Sequence, residues 1–153
     1  MNLAMEIRKE KKNNLIYKAT CFAGEISKVL KPMCAVVIGS VARGDFNDAS
    51  DIDVVLISEK MPDVYKERLE LLYDYVFDAI EPKGYNLEEF ILMYKKRNPI
   101  AIEAVEKGII VYDEGVWNKV LDGISCTSNT TSIISTKKRA LKSPSRSNCY
   151  TGK

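Results

Sequence analysis

The chain has 153 residues, 46% hydrophobic and 29% charged, with a net charge of +2, a composition that suits one domain of ordinary size with a real core. It has no histidine, which excludes a Cys/His zinc site and any His-based triad and leaves acid–base chemistry to carboxylates, Lys, Tyr, Cys or metal-bound water. No apolar h-region follows Met1, and no apolar run approaches the roughly 18 residues of a membrane span, so a soluble, cytoplasmic protein without membrane contact is expected.

Residues 13–31 read as a helix, because Leu15, Ala19, Phe22, Ile26 and Val29 recur at steps of three and four. Pro32 stops it. The apolar run Met33 to Ile38 reads as a buried strand. Gly39-Ser40 is a turn, with Ser40 expected to cap the short segment Val41-Ala42-Arg43. A polar loop, Gly44 to Ser50, leads to a second strand from Asp51 to Ser58. Pro62 is expected to begin a helix carrying Val64, Leu71, Leu72 and Tyr75. A third strand is expected from Tyr75 to Glu81, ended by Pro82. Asn86 and Glu89 fit a capping box for a helix over 87–96. Asn98-Pro99 starts another helix closed by Gly108. Ile109 to Tyr112 reads as a fourth strand and 116–124 as a last helix. Strands alternating with helices imply an α/β (α+β) domain with a single mixed sheet flanked by helices. Residues 1–125 form this domain and hold 17 basic against 21 acidic residues. Residues 126–153 carry six basic residues and no acidic one. They read as a basic, Ser/Thr-rich tail, expected to be flexible and to contact polyanions weakly and without specificity.

The chemistry concentrates between the first two strands. Asp51 and Asp53 lie two apart, so period-2 geometry puts both carboxylates on one face, with Cα atoms roughly 6.5 Å apart. Such a like-charge pair is unfavourable unless a cation joins it. Magnesium takes one or two protein carboxylates together with substrate phosphates, and two such ions can clamp an in-line displacement at phosphorus. Gly39-Ser40 supplies a turn that lets backbone approach a phosphate closely, and Arg43 follows one turn later. Taken singly, these residues have plainer readings. Asp-x-Asp ends many surface strands, Arg43 suits a salt bridge to Asp45 or Asp48, and Arg8 to Lys12 suits a solvated helix face.

Taken together, Gly39-Ser40-Val41-Ala42-Arg43-Gly44 and Ser50-Asp51-Ile52-Asp53-Val54 resemble the minimal nucleotidyltransferases of the DNA polymerase β superfamily, especially short prokaryotic ones. The likeness covers residues 13–124. It implies transfer of a nucleoside monophosphate from a nucleoside triphosphate, ATP being the expected donor, to an acceptor hydroxyl with release of pyrophosphate. Asp51 and Asp53 would hold two Mg²⁺ ions, with Mn²⁺ as a substitute, and Gly39, Ser40 and Arg43 would bind the nucleotide. The resemblance also implies a third carboxylate on a later strand. Glu81 and Asp78 are the candidates, and the family-like segment Ile80-Glu81-Pro82 through Glu89-Phe90 favours Glu81 as a catalytic and metal-binding residue. A second role implied by the resemblance is that of an antitoxin-type module that neutralises a small helical partner of the HEPN class, with or without adenylylating it.

Overall fold

The structure, a computed structural model, describes residues 2–125, so the expected basic tail lies outside the described residues. Helix α1 (Leu3–Leu30) leads into strand β1 (Met33–Ile38). A short helix α2 (Gly39–Arg43) and a loop connect β1 to β2 (Ile52–Ser58). Then follow α3 (Tyr65–Asp74), β3 (Ile80–Tyr85), α4 (Leu87–Lys95), α5 (Pro99–Glu106), β4 (Ile109–Asp113) and α6 (Val116–Ser125). The four strands form one sheet in the order β3-β2-β1-β4. The β1–β2 and β1–β4 pairs are antiparallel and the β2–β3 pair is parallel. The sheet is therefore mixed, as expected from the sequence.

Both faces of the sheet are covered. Met33, Ala35 and Val37 of β1 and Ile52, Val54 and Leu56 of β2 pack with Phe22, Ile26 and Leu30 of α1 and Leu72 of α3. The alternate residues, Cys34, Val36 and Ile38 with Val55 and Ile57, pack with Phe90 of α4, Ala104 of α5 and Trp117 and Val120 of α6. This explains why the two central strands read as continuous apolar runs rather than alternating ones.

Several local expectations need correction. Helix α1 begins at Leu3, ten residues before the expected start, with the Asn2 side chain accepting from the Ala4 N–H. Its buried stripe ends on Leu30 rather than Val29, which is 43% exposed. From Ile26 the helical period permits either i+3 or i+4, and contact with the sheet selects the latter. The basic stretch of α1 is more than a solvated face. Arg8 donates to the carbonyls of Gly44 (2.9 Å) and Phe46 (2.6 Å), Lys12 to that of Ala42 (3.2 Å), and Lys11 pairs with Asp48. The loop that delivers Asp51 is thus tied to α1. Pro62 does not begin α3. Its carbonyl accepts from the buried Arg68, which also bonds the Gly84 carbonyl and the Glu89 carboxylate. Ser40 is the second residue of α2 rather than its cap.

The largest shift concerns β3. Tyr75 to Ala79 form the connection, with Asp78 at φ +57°, and the strand runs from Ile80 through Pro82 and Gly84 to Tyr85. Proline is tolerated because β3 lies at the sheet edge, where one row of backbone groups has no ladder partner. Gly84 lies against packed side chains: a Cβ there would stand 2.8 Å from Met61 Sδ and 2.9 Å from Leu72 Cδ1, so these side-chain ends would have to shift. The expected capping box forms, Glu89 N–H donating to Asn86 Oδ1 (2.7 Å) and Asn86 N–H to Glu89 Oε1 (3.2 Å). Asn98 and Pro99 open α5 as expected, and Gly108 follows its C-cap Lys107.

Gly108 has little room for a side chain. A Cβ would overlap Val36 Cγ1 and approach the Ala104 carbonyl oxygen to 2.7 Å. Because backbone cannot swing aside as a flexible side chain can, Gly108→Ala is expected to lower stability by about 2 kcal/mol. Urea unfolding monitored by circular dichroism measures this, and an unchanged midpoint would show that α5 has freedom to shift.

Candidate active site

Two registers assemble the site. Ile38, the last residue of β1, lies opposite Asp53 of β2, and Asp53 lies beside Glu81 of β3. Gly39 is next in the chain after Ile38, so the start of α2, Asp53 and Glu81 share one end of the sheet. Alternation puts Asp53, Glu81 and Lys83 on the face covered by α4, α5 and α6, since their neighbours Ile52, Val54 and Ile80 enter the opposite core. Asp51 stands one residue before β2 and is exposed. Glu81 is the second residue of β3, so it stands at the start of its strand, not at the end as expected from Pro82.

Gly39 and Asp53 are in close contact. Gly39 adopts φ +76°, and a Cβ built there would stand 2.5 Å from Asp53 Oδ2. Only glycine both enters this left-handed region at no steric cost and leaves room for the carboxylate. The Asp53 carboxylate therefore faces the Gly39-Ser40 turn, as expected. Ser40 is half-buried within α2. Arg43 closes that helix and pairs with Asp45 (3.3 Å) and with Glu103 of α5 (3.1 Å).

Glu103 and Lys83 were not anticipated as site residues. Glu103 Oε2 accepts from the Gly39 N–H at 2.6 Å while it binds Arg43. One carboxylate thus takes both the amide and the guanidinium that a phosphate could use. The Lys83 ammonium lies 3.2 Å from Asp53 Oδ1 and 3.5 Å from Glu81 Oε1. Burial alone would lower its pKa, but the charges and hydrogen bonds of Asp53 and Glu81 outweigh that and raise it above the ordinary lysine value. The spacing of Lys83 two residues after Glu81 could have flagged it, had the strand been located correctly. Glu103 carries no such signal, because its contact depends on how α5 crosses the end of β1.

The two candidates for a third carboxylate are separated clearly. Asp78 lies outside the sheet and forms an ion pair with Lys18 of α1. The hydrogen bond from Lys18 lowers its pKa, against the opposing effect of burial. Glu81 is the one beside Asp53. Among the described residues no three acidic side chains stand at metal-ligating spacing, and Lys83 lies between two of the candidates. Their chemistry nevertheless fits a hard divalent cation: Asp53 and Glu81 offer carboxylate oxygens on adjacent paired strands, close enough to share one ammonium. Cys34 offers no nucleophile, being buried in the sheet with its thiol pushed well above the usual range by desolvation and then by the Asp113 charge.

A mixed sheet that brings a glycine turn against an acidic strand start defines the class of protein. The chain belongs to the nucleotidyltransferase domain family, which it matches over residues 24–111, more than half its length. Over 95 residues it is 28% identical to a protein of Methanocaldococcus jannaschii named "putative protein adenylyltransferase", a match that takes in 58% of this chain and 65% of that relative's length. Its fold is similar to the crystal structure of a "putative nucleotidyltransferase" from Sulfolobus solfataricus, with a TM-score of 0.55 at 17% identity over 70% of this chain and 87% of that one. No helix among the described residues is long and apolar enough to cross a membrane.

The Gly39–Asp53 contact predicts a measurable coupling. Gly39→Ala is expected to destabilise the fold by about 2 kcal/mol, through its positive φ and the clash with Asp53. Adding Asp53→Ala should recover about 1 kcal/mol of that loss, because the clashing oxygen is gone. A thermodynamic cycle of unfolding energies tests this, and strict additivity would place Asp53 elsewhere.

Proposed function

We propose that the protein transfers adenylyl groups from ATP to a hydroxyl of a protein acceptor, releasing pyrophosphate. The observation that carries this reading is the pairing of Ile38 with Asp53 and of Asp53 with Glu81, which sets Asp53 against the Gly39 turn and Glu81 next to it on the neighbouring strand. The named activity of the archaeal relative supports adenylyl transfer to protein. The sequence resemblance also implies a small helical partner of the HEPN class, which the protein would neutralise with or without adenylylating it.

Asp51, Asp53 and Glu81 would hold Mg²⁺. Bound there, it would neutralise the triphosphate and acidify the acceptor hydroxyl. Asp51 and Asp53 follow the Gly39 turn closely and serve the triphosphate side. Gly39 and Ser40 offer backbone amides to its phosphates, and Arg43 a guanidinium. Glu81, on the edge strand, is the carboxylate for the acceptor side, where it can accept the hydroxyl proton. Asp78, held by Lys18 away from the sheet, has no part in this chemistry.

The test is incubation with labelled ATP, Mg²⁺ and cell lysate, followed by mass spectrometry of whatever becomes labelled. A labelled protein, absent with Asp53→Asn, is the expected outcome; no transfer to any acceptor would overturn the reading. Glu81→Gln should reduce transfer by about 100-fold with triphosphate binding largely kept, while Asp78→Asn leaves both intact. The reverse pattern would transfer the role to Asp78.

Glu103 must yield its contacts with the Gly39 N–H and Arg43 before a phosphate can take them. Glu103→Gln removes the competing charge while keeping the shape. The triphosphate dissociation constant, by calorimetry, is expected to fall about fivefold. A rise would mean that Glu103 instead holds Gly39 and Arg43 in their binding positions.

A further inference from the structure

We propose that Lys83 is a positioning residue of the carboxylate site: a built-in cation that holds Asp53 and Glu81 together and then competes with the divalent ion for them. The inference rests on the reading of Asp53 and Glu81 as metal-binding groups.

The argument starts from the sheet. Asp53 and Glu81 are register partners on adjacent parallel strands, which run roughly 4.8 Å apart. Their side chains emerge on the same face, so the two negative charges oppose each other across the pair, an arrangement that is destabilising without compensation. Strand geometry cannot relieve it, because both residues are fixed by backbone pairing. Lys83 supplies the compensation. It lies two residues after Glu81 on the same face of β3, and its ammonium reaches both carboxylates, at 3.2 Å and 3.5 Å. The side chain is 24% exposed. A single cation shared by two carboxylates and largely covered by protein differs from an isolated surface pair, whose contribution is small.

The same geometry makes Lys83 a competitor. A divalent ion between these carboxylates would need the space and the oxygen lone pairs that the ammonium now uses. Lysine suits such an exchange better than arginine. Its charge is compact and rides on a flexible four-carbon stem, whereas the arginine fork binds carboxylate bidentately and releases it less readily. Lys83 thus keeps the ligands together before the metal arrives, and the exchange sets how much metal is needed.

The experiment uses the full chain without nucleotide and combines calorimetric Mn²⁺ titration with thermal unfolding in EDTA. Lys83→Met should bind Mn²⁺ about tenfold more tightly than wild type, because the competing positive charge is gone. In EDTA its unfolding temperature should fall, and Mn²⁺ should restore it. Lys83→Arg should unfold near the wild-type temperature in EDTA and bind Mn²⁺ no more tightly than wild type. Lys83→Gln, uncharged and polar, gives the same reading should the Met variant not fold. Wild-type Mn²⁺ binding with unchanged or weaker affinity in the neutral variants would overturn the role of Lys83 alone. Absence of Mn²⁺ binding to both wild type and the neutral variants would overturn the metal reading and this inference with it.

Discussion

Two carboxylates facing each other across paired strands create an electrostatic problem that organises the rest of the site. Asp53 and Glu81 are set side by side by the β2–β3 register, and that register cannot slip without losing ladder hydrogen bonds and reversing every buried neighbour. Nearby positive charge relieves the repulsion. In the free protein Lys83 provides it. On the proposed reading the same demand would be met by a divalent cation, so local stability of the fold and phosphoryl chemistry would have one origin.

A complementary arrangement exists at the phosphate side. The Gly39 amide and Arg43 form a small positive locus, and Glu103 from α5 satisfies it. The charges are thus neutralised internally at both places, the carboxylates by an ammonium and the amide and guanidinium by a carboxylate. Unpaired charged groups in partly buried positions would be costly, and these contacts satisfy them within the chain.

The scaffold around the site is stiff for identifiable reasons. Apolar helices cover both faces of the central strands. The loop carrying Asp51 is fastened to α1 by Arg8, Lys11 and Lys12. Buried Arg68 ties together Pro62, Gly84 and Glu89, while Glu89 also completes the cap of α4. The strand that carries Glu81 and Lys83 is therefore anchored from behind although it has no outer neighbour among the described residues.

Much of this was legible in the chain itself. Gly39-Ser40 and Asp51-x-Asp53 lie on local signals, an apolar strand followed by a turn and an apolar strand preceded by acid, and local signals of that kind depend on backbone preferences that travel with the sequence. The capping box of α4 and the Asn98-Pro99 start of α5 were readable for the same reason. The third strand was not. Its residues include Pro82 and Gly84, which strand propensity disfavours, whereas Tyr75 to Ala79 look more like a strand and form a connection. What overrides propensity is tertiary: the edge position accommodates the proline, and Met61 and Leu72 pack closely against Gly84. Consequently the sequence determined that Asp53 would lie beside a glycine turn. Only the packed sheet decided that Glu81 joins them, that Asp78 goes to Lys18, and that Lys83 and Glu103 neutralise the cleft, because those meetings depend on register and helix crossing rather than on neighbours in the chain.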